Sequence, residues 1–268
     1  MLGSKRFRSA LCPLALVLVL GAFFLLDTQL AVQSFPGLNP PSPPSATHWL
    51  GTDDQGRDVA ARLFFGLGNS LLFGLLTWAG TAVVGYGWGM AQGLLGGKSD
   101  LWMQRLTEIW TTLPCFIILM LCFELRPPSF TDLVLFWVAF GWVGLSRYAR
   151  AETLRLRSLP FTEAARAMGT SPLRLAFRHI LPNSLTPLLS LTPALIGSAI
   201  TGLAALDYLG LGLAAPTPSL GELLRQGQNN LSCWWLSAVP VCVLATTLLT
   251  VTWIGERLRR AVDVRGSG

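Results

Sequence analysis

Residues 63–97 read LFFGLGNSLLFGLLTWAGTAVVGYGWGMAQGLLGG, 35 consecutive positions without Asp, Glu, Lys, Arg or His. About 20 apolar residues at 1.5 Å rise cross a hydrocarbon core, so this run is long enough to span a bilayer at a tilt. Its ten glycines are spread along it with no polar turn cluster, which predicts one long helix rather than two short spans. Gly80, Gly85, Gly87 and Gly89 would let neighbouring helices approach closely, as small residues do in lipid.

Five more uncharged stretches lie at residues 9–26, 109–123, 133–146, 183–206 and 226–255. Together they predict an all-α membrane protein of six transmembrane helices, the third and fourth forming a hairpin through Arg126-Pro127-Pro128. The composition agrees. Of 268 residues, 51% are hydrophobic and 13% charged, against about a quarter charged in soluble domains, and the mean hydropathy is +0.52. A disordered chain, a small disulfide scaffold and a secreted soluble enzyme are excluded.

Sixteen of the 20 basic residues fall on the side that holds both termini; the other side receives Arg57, Arg62, Arg126 and Arg225. The positive-inside rule then puts both termini in the cytoplasm. The formal charge of +6 is thereby a matter of topology and needs no nucleic-acid partner. Lys5, Arg6 and Arg8 before residues 11–26 resemble a signal peptide, but no small-x-small cleavage site follows, so an uncleaved first span is expected. The chain divides into residues 1–62, a first span with a Pro-rich external segment; 63–260, the transmembrane domain with its cytoplasmic loop 147–183; and a tail, 261–268.

None of the six stretches carries an ionisable group, which speaks against transport driven by a proton or sodium gradient. Both histidines, His48 and His179, fall in loops, which speaks against an intramembrane protease. Gly96-Gly97-Lys98-Ser99 resembles the end of a phosphate-binding loop, but its first glycine would be Gln92 and it follows a hydrophobic span, not a strand. No catalytic residue, cofactor site or metal site is expected. Cys12, Cys115, Cys122 and Cys242 read as buried small hydrophobes in or beside spans, with Cys233 alone facing outside. Any energy must come from other subunits.

The loop 147–183 is the most basic connection. Phe161 to Met168 are rich in helix formers, Gly169 suits a helix end, and Ser171 with Pro172 suits a new start. Leu173, Ala176, Phe177 and Ile180 would form one apolar face, with Arg174 and Arg178 on another. This reads as helix–turn–helix, equally suited to a plain surface helix pair and to a knob for another protein's groove.

Glu163-Ala164-Ala165, then Gly169, then a segment ending Leu181-Pro182 resembles the EAA motif of ABC importer permeases. His48-Trp49-Leu50-Gly51-Thr52-Asp53-Asp54-Gln55-Gly56-Arg57-Asp58 resembles a signature of the dipeptide/oligopeptide/nickel branch. So does Leu209-Gly210-Leu211-Gly212 with Pro216-Thr217-Pro218-Ser219-Leu220-Gly221; both precede or follow spans in the order that branch has them. Within it, residues 97–102, 219–224 and 228–231 look most like the microcin C/oligopeptide group. The resemblance implies the type I ABC importer permease fold and a bacterial inner-membrane location. It also implies a second homologous permease, cytoplasmic ABC ATPases and an external substrate-binding protein as partners, besides membrane lipid.

In that reading Glu163, Ala164, Ala165, Gly169, Leu181 and Pro182 couple to the ATPase. Asp53, Asp54, Gly56, Arg57 and Asp58, with Gly210, Gly212, Pro216 and Pro218, are external loop or gate candidates; the charged turn reads equally as a local set of exposed ion pairs. Trp234 and Trp235 are expected at the membrane interface. The solute expected is a peptide or peptide-like molecule. The alternatives are nickel or a metal chelate carried by the same machinery, and a membrane scaffold without transport.

Overall fold

The computed structural model describes residues 29–33, 41–124 and 126–266; the expected first span, 9–26, and Cys12 lie outside them. The described helices are α1 (Gln29–Val32), α2 (Val59–Leu95), α3 (Gly97–Thr112), α4 (Cys115–Phe123), α5 (Phe130–Arg157), α6 (Pro160–Ala167), α7 (Pro172–Leu175), α8 (Leu181–Tyr208), α9 (Leu220–Asn229) and α10 (Trp234–Gly266). A π-helical turn, Ala176–Ile180, links α7 to α8. Among the described residues, by length and composition, four helical stretches can cross a membrane, α2, α5, Leu189–Tyr208 of α8 and Trp234–Arg257 of α10, or five if the bent pair of α3 and α4 is one span.

The uncharged run at 63–97 forms one continuous helix of 37 residues, α2, about 55 Å long. The expected third span is different. It is a bent pair, α3 and α4, turning by 63° at Leu113-Pro114. Leu113 is extended at φ −69°, ψ 122°, because the proline ring that follows disfavours helical geometry in the residue before it. The expected sixth span also starts later than the charge pattern indicates. Gln226 belongs to the separate helix α9, and the span begins at Trp234.

Contacts divide the chain into two compact units that share four helices. The first contains the described residues up to Leu75, then Leu125–Leu133 and Ile196–Ile254. Its core is Val59, Leu63, Leu220, Leu223, Cys233, Trp235 and Leu236. Cys233 is thus buried, while Cys115, Cys122 and Cys242 are exposed on the chain's surface, the reverse of the sequence expectation. A membrane chain has apolar outer faces as well as apolar inner ones, so hydropathy does not say which way a cysteine points.

The second unit contains Leu76–Glu124, Val134–Leu195 and Gly255–Gly268. Within it Gly85, Gly89 and Gly93 recur every fourth residue and make one stripe along α2. A Cβ on Gly85 would lie 2.6 Å from the carbonyl oxygen of Trp142, and one on Gly93 2.6 Å from the side chain of Thr153. On Gly89 it would overlap the carbonyl oxygen of Ser146. Gly80 is equally close to Val138, whereas Gly87 faces open space. Gly87 was expected in the contact; two residues from its neighbours, it points roughly to the far side of the helix.

Candidate functional site

The second unit contains the loop that carries Glu163. Arg157 donates from Nη1 to the carbonyls of Gly93 and Leu94, closing the C-terminal end of α2 with a positive charge. After it the chain turns, and Pro160 opens α6 at a position where no N–H is needed. Glu163 stands in the first turn of α6, where a negative charge suits the helix dipole. At the other end Gly169 takes φ +77°, and Thr170 N–H reaches back to Ala165 O at 3.2 Å. A Cβ there would meet nothing within 4 Å, so glycine is required by the backbone angle and not by space.

Ala165 and Ala164 have different roles. Ala165 is buried in a core with Tyr86 and Met90 of α2, Leu145, Ala149 and Leu156 of α5, and Leu175, Ala176 and Ile180. Glu163 and Ala164 face outward. Around them Met168 is 80% exposed, Leu173 73% and Phe177 62%. The loop is therefore fixed to α2 and α5 on one side and presents large apolar side chains on the other.

The apolar face expected of the second loop helix is only half buried. Ala176 and Ile180 are inside, joined by Leu175, while Leu173 and Phe177 point out. Pro182 has no N–H for the carbonyl four residues back, and immediately before it the helix widens into the π turn, which re-aims the side chains. The side-chain amide of Asn183 supplies a donor to His179 O at 2.6 Å. Leu181 packs against the core and Pro182 is exposed. Ser171 sits at the N-cap of α7 but makes no side-chain capping bond.

The first unit brings together the two other motifs. Asp53 accepts from Arg57 Nε at 2.7 Å and from the backbone N–H groups of Gln55 and Arg57, each at 2.9 Å. Arg57 Nη2 reaches Glu222 Oε1 at 3.1 Å, and Arg62 Nη2 pairs with Glu222 Oε2. Arg62 Nε lies 3.4 Å from Asp53 Oδ2, and its Nη1 donates to Ala31 O at 3.0 Å and Pro216 O at 3.3 Å. Gln226 Nε2 adds a bond to Glu222 Oε1 at 3.1 Å. Two cations and two anions cancel, and every one of them is buried.

The expectation of exposed ion pairs is therefore corrected. Arg57 and Arg62 are 1% and 0% exposed, because α9 folds over the turn. Asp54 stays at the rim, its N–H 3.4 Å from Gln226 Oε1. Its carboxyl is held above the ordinary carboxylate range, first by partial burial and then by the charge of Asp53, with Arg57 opposing. Asp58 caps α2 through Ala61 N–H at 2.9 Å and meets His48 Nδ1 at 2.9 Å. Gly51, at φ +78°, leaves room for both Ser42 O and Trp235 Nε1, which a Cβ would approach at 2.7 and 2.9 Å. Trp235 donates to Thr52 O at 3.3 Å and is buried, so only Trp234 of the pair is exposed.

Gly210 and Gly212 flank a turn over Asp207, whose carboxylate accepts from Leu213 N–H at 2.7 Å and from Ser219 Oγ. Gly212 packs so close to that carboxylate that a Cβ would collide with it. Pro216 follows a cis bond and presents its carbonyl to Arg62; Pro218 presents its own to Asn69 Nδ2 at 2.9 Å. Arg62, Asp207, Glu222 and Gln226 are members of this cluster that the motif reading missed. Arg62 is the last charge before an uncharged run, and Glu222 and Gln226 are spaced i, i+4; both were legible signals. Gly56 closes the charged turn, donating to Asp53 O at 3.1 Å.

The profile of the family described as "Binding-protein-dependent transport system inner membrane component" matches residues 84–264. The inner membrane ABC transporter permease protein YejE of Escherichia coli K12 is 43% identical over 83% of this chain and 65% of its own length. The peptidoglycan transport system permease protein YejE of Agrobacterium fabrum is 39% identical over 91% of this chain and 64% of its own. The oligopeptide transport system permease protein OppC of Bacillus subtilis is 29% identical over 96% of this chain and 87% of its own. The chain thus spans about 65% of the length of the first two. Among solved structures, the MetNI methionine ABC transporter in an inward-facing conformation superposes with a TM-score of 0.64 at 17% identity, over 75% of this chain and 96% of that one. That likeness shows the fold, which is the helical bundle of type I ABC importer permeases.

Proposed function

The chain belongs to the family of binding-protein-dependent transport system inner membrane components, multi-pass proteins of the inner membrane, and we propose that it is the permease subunit of an ATP-driven importer of peptides or peptide-like solutes. Peptidoglycan fragments fall within that class. One observation carries the reading: Ala165 is locked into the core of α2 and α5 while Glu163, Ala164, Met168 and Phe177 face outward from the same short loop. Such a loop is a rigid handle on two membrane helices.

Closure of a cytoplasmic ATPase holding that handle would move α5 and α2 with it and switch the bundle between inward and outward states. ATP binding and hydrolysis occur on the partner, and the bias comes from its differential affinity for the two states. A second homologous permease completes the pathway and an external binding protein delivers the solute. In this reading the chain has six spans with both termini cytoplasmic, the third formed by α3 and α4. The buried cluster of Asp53, Arg57, Arg62 and Glu222 holds the external loops as one piece at the gate.

The test is uptake by cells whose own importer genes are deleted, given labelled tripeptide, labelled muropeptide or nickel. Uptake of either peptide that disappears with Gly169→Asp at unchanged expression supports the reading. Nickel uptake alone would replace the solute class, and no uptake of any of them with a full complement of partners would overturn the importer.

A further inference from the structure

We propose that the outward face of α3 is a binding site for one anionic phospholipid, its headgroup phosphate held between Lys98 and Arg105. The helix is sharply two-sided. Asp100, Met103, Gln104 and Thr107 turn inward: Arg150 clasps Asp100 through two bonds of 2.7 and 2.6 Å, and Trp88 Nε1 donates to Thr107 Oγ1 at 3.2 Å. Those contacts fix which face is left over. It carries Lys98, Leu101, Trp102 and Arg105, spaced i, i+3, i+4, i+7, which line a shallow groove of about 160 Å³.

The groove has room for a headgroup phosphate and the first part of an acyl chain. Two cations stand at its ends, and between them Trp102 is 72% exposed and Leu101 60%. A soluble anion has no use for an exposed indole and leucine, and a zwitterionic lipid has no net charge for the two cations. An anionic phospholipid satisfies both. The position fits as well: α3 begins two residues after Leu95, the end of the long span α2, and in the topology proposed above that is the cytoplasmic end of the span, on the side whose leaflet carries the acidic headgroups. Basic residues with tryptophan at that depth are the ordinary means of holding an acidic headgroup.

Arg105 shares one N–H with Glu108 at 2.6 Å, leaving the rest of its guanidinium for the ligand. The site therefore carries one net positive charge, which at a membrane surface favours an anionic over a neutral lipid about fivefold.

The experiment uses the full chain with its co-purifying subunits, reconstituted in phosphatidylcholine vesicles doped with brominated phosphatidylglycerol or, at the same mole fraction, brominated phosphatidylcholine. The chain has ten tryptophans, so the emission of Trp102 is taken as the difference between the unchanged chain and Trp102→Phe. The expected result is preferential quenching of that emission by the brominated phosphatidylglycerol. Lys98→Gln with Arg105→Gln should equalise the two lipids while thermal stability stays unchanged. Equal quenching by both in the unchanged chain would overturn the site, as would no quenching by either, which would mean that protein covers this face. Loss of the preference on adding inorganic phosphate would assign the groove to a free anion instead. The ATPase-docking reading is scored separately, by recovery of the ATPase in the same preparation, so either can fail without the other.

Discussion

Arg62 pairs through Nη2 with Glu222 Oε2, joining the first turn of α2 to the first turn of α9 across 160 residues of sequence. The pair is one side of a neutral set completed by Asp53 and Arg57. Each charge is out of water, so each depends on the others: a buried ion is tolerated only when its partners and hydrogen bonds replace its hydration.

Removing one member should therefore cost more than the pair is worth. Glu222→Gln leaves two guanidinium groups facing one carboxylate, a loss of about 3–5 kcal/mol for a broken buried pair. Thermal unfolding in mild detergent should show a large drop for Glu222→Gln and for Arg62→Gln. The double variant should lose clearly less than the two drops added together. Additive losses would mean that the two side chains do not depend on each other.

The glycine stripe of α2 makes a sharper comparison, because its control lies in the same helix. Gly89→Ala forces a methyl group against the Ser146 carbonyl and should destabilise by about 1–3 kcal/mol, as overpacking does. Gly87→Ala has free space and should be neutral or stabilising by up to about 1 kcal/mol, since alanine is the better helix former. Equal unfolding temperatures for the two variants would contradict the packing of α2 on α5.

Asp54 gives a pH dependence. Its carboxyl is raised above its ordinary value of 3.8, so the folded protein binds this proton more tightly than the unfolded chain does. The resulting destabilisation is fully present above the folded-state pKa and fades as pH falls through that value toward 3.8. Asp54→Asn should thus unfold at a slightly higher temperature than the unchanged chain at neutral pH. The gap should close on acidification, and a gap that widened instead would reverse the sign of the argument.

The described spans were legible because a bilayer leaves one coarse signal, the absence of charge, and residues 63–97 carry it without interruption. What that signal cannot report is where a helix bends or which way it faces. Pro114 breaks the third span, and Gln226 is uncharged yet belongs to the polar cluster, so the sixth span begins eight residues later than the charge pattern indicates. The candidate loop was legible in its residue types, and its helix ends fell where Pro160 and Gly169 place them. Its outward face was not, since the π turn before Pro182 breaks the 3.6-residue register, and Ala176 and Ile180 are buried while Leu173 and Phe177 are exposed. The ionic cluster depends on residues 53 to 222 meeting in space, and only the fold brings them together.

On the proposed function, the outward face of α6 holds an ATPase. Ala164 is the residue to change, because it is exposed and its neighbour Ala165 anchors the loop. The chain and Ala164→Glu should be purified in mild detergent from the same strain, with co-purifying proteins identified, ATP hydrolysis assayed and unfolding temperatures compared. A homologous permease is expected in both preparations, and an active ATPase that is lost from the variant while its unfolding temperature is unchanged. Full recovery of the ATPase with Ala164→Glu, or its absence from the unchanged chain, would contradict that function.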